Sequence, residues 1–370
     1  MWDELVGERR VADLLAAAVR RGAVSHAYLF VGPAGAGKKS TARALACAIL
    51  CDDDACGVCP ACRRVKRGTH PDVRVIVPEG AATYMIEQVR DVIRDVHLAP
   101  IEAGRKVFIV EAADSFNDSS ANAFLKTLEE PPDDVTFVLL ATTYDGVLPT
   151  IASRCQVVRF RRLPPADSAA LLMSRTGASE GDALVAMAAT GGVLPRAQEF
   201  LASGIRRAAR DHMLSVLKDL PVLDEHDVLM AARRLLVAVK APVEELRLAQ
   251  ELEARESAEF LGKKGGKALE DRQKRQLTAG EREAVGEVLN IAESWLRDCF
   301  VISQGVPELV VNREESDAME EVAAVLTPRA AHRALAAVRV ARRRISYNVN
   351  PQLAVEAMLF DIREVLTCPQ

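Results

Sequence analysis

Aromatic residues are scarce in this 370-residue chain, at 4%, with two tryptophans and four tyrosines. They are not interleaved with basic residues, so the sequence offers no platform on which single-stranded bases would stack. A basic excess is lacking too: 48 Lys and Arg against 52 Asp and Glu leave a net charge of −4. That excludes a chain that is basic throughout, and any contact with nucleic acid must be local or made through partners. No uncharged apolar run reaches the ~18 residues that a membrane span requires. The N-terminal MWDELVGERR is acidic and polar where a secretory signal would be basic and then apolar. The expectation is a cytoplasmic protein without a membrane partner. The six histidines, His26, His70, His97, His212, His226 and His332, have no spacing that would build a metal site. Internal repeats and low-complexity tracts are also missing.

A hydrophobic fraction of 49% with 27% charged residues describes a soluble globular protein, and the length suits two or three domains. Residues 1–163 alternate short apolar runs with helical stretches, the pattern of a parallel sheet wrapped by helices. Strands are expected at AYLFV (27–31), VRVIV (73–77), KVFIVE (106–111), VTFVLLA (135–141) and QVVRF (156–160). Helices are expected over Leu5 to Arg21, Lys38 to Leu50, Ile86 to Val96 and Ser119 to Glu129, the last stopped by Pro131 and Pro132. Three short helices occupy 166–203, within a second domain at 164–204, with TGG (190–192) and Pro195 breaking them. Residues 205–370 read as a helical bundle, with apolar spacing in Val228 to Val239, Ala284 to Phe300 and Ala330 to Val340. GKKGGK (262–267), in a charged stretch that runs to Glu283, is expected to be a hinge or an exposed helix end.

GPAGAGKKS (32–40) follows a predicted strand and opens a predicted helix, the context of a phosphate-binding loop. Gly32, Gly35, Gly37 and Lys38 fit that loop: the glycines let successive N–H groups face an anion, and the lysine sits against the β and γ phosphates. Lys39 stands where a Ser or Thr would hold Mg²⁺, and an ammonium cannot coordinate a cation. Ser40 comes one position late, about 100° round the helix. Glu111, at the end of KVFIV, suits the metal's shell, but Ala112 cannot orient an attacking water. Two positions of one catalytic step therefore fail. Mg²⁺ is not expected, and the loop is either a passive ATP or ADP site or a turn kept for its shape.

Cys51, Cys56, Cys59 and Cys62 are separated by four, two and two residues. Thiolates at this spacing can close the tetrahedral shell that Zn²⁺ takes in structural sites. Free thiols or a CxxC redox pair are the alternatives, and structural zinc is the expectation. Cys47, Cys155, Cys299 and Cys368 are expected to be packing or surface thiols. The basic runs KKGGK and Arg342 to Arg344 are read as solvated helix faces or partners of nearby acids in preference to DNA contacts.

HAYLFVGPAGAGKKSTARALA (26–46), the four-cysteine segment, NAFLKTLEEPP (122–132), LLATT (139–143) and SRC (153–155), in that order, resemble the bacterial DNA polymerase III clamp-loader ATPases of the AAA+ class. The likeness is strong over the first ~200 residues and weak over the C-terminal bundle, through NVNPQLAVEAML (348–359). It implies an α/β fold: an AAA+ P-loop domain with a five-stranded parallel sheet, a small helical lid and an all-α collar that holds an oligomer. Loaders of this family are hetero-pentamers of ATPase subunits (gamma and tau), a clamp-opening subunit (delta) and a rigid stator, and they place a sliding clamp on primed DNA. The resemblance is nearest to the stator, whose Walker motifs are degraded while SRC is kept; HPDV (70–73) points the same way. Arg154 is then implied to be an arginine finger acting in trans on ATP held by a neighbour, and Thr142 or Thr143 takes the first sensor position. Arg196 is offset by one from the family's second sensing arginine and is read as a surface residue. Two rivals remain: an active gamma or tau type ATPase in which Ser40 or Thr41 reaches Mg²⁺, and an independent DNA-binding zinc protein with a vestigial loop.

Overall fold

The computed structural model describes residue 2 and residues 9–78, 83–257, 263–347 and 349–367. The start of the first predicted helix (residues 5–8), Gly262, Asn348 and Cys368 lie outside the described residues. The chain divides into two compact units, Met1–Asp167 and Ser168–Gln370.

The first unit runs α1 (Arg9–Arg20), β1 (Ala27–Val31), α2 (Lys38–Leu50), α3 (Pro60–Arg67), β2 (Val73–Ile76), α4 (Ile86–Val96), β3 (Lys106–Val110), α5 (Asp118–Glu129), β4 (Val135–Ala141), α6 (Pro149–Ala152) and β5 (Gln156–Arg159). The five strands form one sheet in the order β2-β3-β4-β1-β5, every neighbouring pair parallel. Register is set by pairs such as Ala27 beside Phe137 and Tyr28 beside Gln156. The inner strands β1, β3 and β4 are buried along their whole length, which is why they read as continuous apolar runs. Alternate residues serve opposite faces. Ala27, Leu29 and Val31 join a core that includes Val92, Phe124 and Leu128 of α4 and α5. Tyr28 and Phe30 join another with Leu15, Leu45 and Val65 of α1, α2 and α3. Asn117 and Ser120 close a reciprocal cap at the start of α5.

Among the described residues of the second unit the regular elements are all helices. It contains α8 (Glu180–Ala189), α9 (Leu194–Ala202), α10 (Gly204–Asp219), α11 (Glu225–Ser257), α12 (Lys263–Ser303), α13 (Ser316–Ala323), α14 (Pro328–Ser346) and α15 (Pro351–Thr367). They follow α7 (Pro165–Thr176), which crosses the division between the units. At 41 residues, α12 is the longest helix described, about 60 Å at 1.5 Å per residue. One continuous apolar core takes in Leu172, Ala186 and Phe200 of the three short helices together with Trp295, Val338 and Leu359 of the later ones. Pro195 does not break a helix as the sequence suggests. It sits in the first turn of α9, where a missing N–H costs no hydrogen bond. The charged stretch from Lys263 onward is helix from its first described residue.

Candidate functional site

In an open parallel sheet, ligands lie beyond the carboxyl ends of the strands. Here β1, β3 and β4 end at Val31, Val110 and Ala141. The loop after β1 turns through Gly35 and Gly37, at φ 79° and 81°, backbone that glycine adopts without strain. Gly32 is needed for another reason: a Cβ there would lie 2.5 Å from the Phe160 carbonyl oxygen. Lys38 folds back on the loop, its ammonium donating to the carbonyls of Gly32 and, at 2.9 Å, Pro33. Burial lowers the Lys38 pKa against the opposing pull of Asp114. The structure thus gathers Gly32, Gly35, Gly37 and Lys38 into one cradle.

Lys39 breaks the pattern. Its Nζ lies 2.5 Å from a Glu111 carboxylate oxygen, so an ammonium rests on the carboxylate that a metal would use. Thr41 is buried and its hydroxyl donates to the Gly37 carbonyl at 3.0 Å, while Ser40 is exposed. Mg²⁺ asks for an octahedron of oxygens at about 2.1 Å, and this donor set does not fit it. Beyond Glu111 the backbone of Ala112 is left-handed, at φ 50° and ψ 53°, a conformation costing an L-residue roughly 1–2 kcal/mol. The Tyr84 hydroxyl donates to the Glu111 carbonyl, and Asp114 accepts the Thr142 N–H at 3.1 Å, tying the end of β4 to the loop after β3. The side chains of Thr142 and Thr143 are exposed.

At the other end of α2, Cys51, Cys56, Cys59 and Cys62 bring their sulfurs within 4.8 Å of one another. The Cys51 to Cys56 and Cys51 to Cys59 separations are both 3.7 Å. A zinc ion with four Zn–S bonds of about 2.3 Å sets its sulfurs about 3.8 Å apart, so the residues present fit the ion. The surrounding backbone is shaped to the sulfurs. Asp54 and Ala55 have positive φ, and the N–H groups of Asp53, Cys59 and Cys62 donate to Cys51, Cys56 and Cys59 sulfurs at 3.3 to 3.4 Å. N–H donors of Val58 and Cys59 lower the Cys56 pKa to about 7, whereas burial raises that of Cys62. Pro60 and the Cys59 side chain start α3. Cys47 is buried beside the cluster, its thiol pushed up to about 11 by burial. Cys299 is buried and Cys155 half-buried.

Arg154 lies between α6 and β5 and is held by four hydrogen bonds. Nε donates to Glu129 at 2.7 Å and Nη2 to the same carboxylate; Nη1 donates to the Thr150 carbonyl at 2.9 Å and the Ser153 hydroxyl at 3.3 Å. The sequence reading did not find Glu129, although it stands in the NAFLKTLEEPP stretch. The HPDV stretch proves to be a brace. Buried Asp72 accepts the N–H groups of Ile101, Glu102 and Ala103 at 2.6, 2.9 and 2.8 Å, and its own N–H donates to His70 Nδ1 at 3.1 Å. Burial pushes the Asp72 carboxyl up, but those N–H donors outweigh it and hold the pKa below the ordinary carboxylate value. In the second unit Arg196 is paired with Glu283 at 2.7 Å. Arg342 is engaged with Asn290 and Glu293, as a partner of nearby acids.

The family described as DNA polymerase III, delta subunit, matches residues 7–164, and its C-terminal counterpart matches residues 275–364. The chain is 39% identical over 189 residues to the DNA polymerase III subunit delta' of Pseudomonas aeruginosa, covering 49% of this chain and 57% of that protein. It is 41% identical over 157 residues to the Escherichia coli DNA polymerase III subunit tau, covering 41% of this chain and 24% of that protein. It therefore spans less than two thirds of either relative. A solved DNA polymerase III gamma subunit-related protein of Thermotoga maritima covers 96% of the chain, with 99% of its own chain covered, at a TM-score of 0.45 and 17% identity. Over these stretches the chain is similar to DNA polymerase III delta, delta' and gamma/tau subunits. No helix among the described residues is long and apolar enough to cross a membrane.

Proposed function

We propose that this chain is the delta prime type of clamp-loader subunit, a stator in a cytoplasmic complex with gamma or tau ATPase subunits and a delta subunit, serving a sliding clamp on primed DNA. Its own loop does not turn over ATP. Its chemical contribution is Arg154, offered in trans to ATP bound by a neighbouring ATPase subunit. The observation that carries the reading is the Lys39–Glu111 ion pair, which neutralises the carboxylate Mg²⁺ would need. Zn²⁺, held by the four cysteines, fixes the fold of the segment around them and has no open position for catalysis.

The 41% identity to a tau subunit favours a second reading, an active gamma or tau type ATPase. The two separate cleanly. The purified chain should hydrolyse no ATP above background, whereas the ATPase reading demands turnover unaided. In the complex reconstituted with its cellular gamma or tau and delta subunits, Arg154→Ala should lower primed-DNA-stimulated turnover at the one neighbouring site it serves by about 10³-fold or more, removing that site's share of the total rate, while the native mass stays that of the wild-type assembly. Unchanged turnover would remove the role of Arg154.

A further inference from the structure

The contact between Arg154 and Glu129 bears on how the arginine is delivered. Glu129 closes α5, and Pro131 and Pro132 forbid another turn, so the carboxylate is presented at a fixed place. A guanidinium has five N–H groups in a rigid fork. Four of the hydrogen bonds they can make are satisfied inside this chain: Nε and Nη2 on Glu129, and Nη1 on Thr150 and Ser153. Phosphate is gripped best by two parallel N–H groups along one edge of the fork. Here the Nε/Nη2 edge is taken by a carboxylate, which also offsets the charge.

We infer that Glu129 parks Arg154, and that the arginine reaches a neighbour's γ-phosphate by exchanging this carboxylate for the phosphate. The inference rests on the reading of Arg154 as a finger and adds a gate to it, with Glu129 as a positioning residue. The gate is weak by construction. The two side chains are 32% and 45% exposed, and ion pairs so placed favour the parked arrangement by about two- to fivefold. A phosphoryl group carrying more negative charge than a carboxylate outcompetes it once the subunits close. Before closure, the same pair keeps the arginine from stabilising stray turnover.

The test compares wild type, Glu129→Gln and Arg154→Ala in the reconstituted complex, with and without primed DNA. Glutamine keeps the length of the side chain and removes its charge. Glu129→Gln should raise kcat without DNA by about two- to fivefold, leave the KM for ATP unchanged, and blunt the response of that rate to added salt, which loosens the pair only in wild type. In the free chain, exchange of the Arg154 Nε proton with water, followed by NMR, should quicken in Glu129→Gln. If Arg154→Ala leaves stimulated turnover intact, the finger reading fails and the gate with it. If Arg154→Ala is crippling but Glu129→Gln leaves the unstimulated rate unchanged or lower, or leaves the proton exchange unaltered, the gate alone is overturned.

Discussion

The glycine-rich loop and the four-cysteine module stand at the two ends of one helix, α2, and differ in the completeness of their donor sets. At the C-terminal end four sulfurs converge with no ligand missing. At the N-terminal end the hydroxyl is replaced by Lys39, whose ammonium covers the remaining carboxylate. The backbone responds differently in the two places. The loop is set by glycine conformations and by packing against Phe160, so it persists without an ion. The cysteine segment has left-handed turns at non-glycine residues and sulfurs accepting N–H bonds, a conformation that an ion bound by the sulfurs would hold in place.

The largest effect should follow from emptying the complete site. Chelation, or Cys59→Ser, should release zinc from the chain, and hydrogen exchange over residues 51–67 should lose its protection, because metal-binding free energies of about 10–16 kcal/mol become folding energy in such sites. Metal analysis of freshly isolated protein that finds no zinc would erase the contrast between the two ends of α2.

A second saturated set, without a metal, provides the middle case. Asp72→Asn should cost about 2–3 kcal/mol in denaturant melts, since hydrogen bonds to a charged acceptor are the strong ones. The pH dependence has a definite sign. The folded carboxyl lies below the ordinary value near 3.9, so its contribution is full above that pH and fades as pH falls through the folded pKa. The asparagine variant should lack this part of the acid limb. Equal acid sensitivity in the two proteins would show that the N–H brace does not hold the charge.

The smallest effect belongs to the incomplete set. Lys39→Thr should change stability by about 1 kcal/mol, the upper range for a pair whose lysine is half exposed and whose carboxylate is partly buried. Added Mg²⁺ should leave the effect of ATP on Tm unaltered in wild type and enlarge it in Lys39→Thr. A wild-type chain whose affinity for ATP rises tenfold with Mg²⁺ would make the two ends of α2 alike.

These contrasts were unequally visible in the amino-acid sequence. AYLFV and VTFVLLA mark β1 and β4 to the residue, because a strand buried on both faces admits no polar break. β2, β3 and β5 each stop one residue short of the expected run. The cysteine spacing carried its own geometry. By contrast α3, with the sequence PACRRVKR, has too few apolar residues for a helical period to stand out. The bonds of Glu129 to Arg154 and of Lys39 to Glu111 join residues that only the strand order brings together. Periodicity reports which face of an element is buried, not which element lies across from it.

The close approach of Gly32 to Phe160 makes the loop a strut. The Phe160 N–H bonds the Val31 carbonyl at 2.7 Å, and the gap beside Gly32 has no space for even a methyl group. A bulkier residue at 32 would therefore prise the outer strand from its neighbour, and Arg154, two residues ahead of that strand, would swing with it. The shape of the cradle thus bears on where, at the far end of β5, the Arg154 side chain is held.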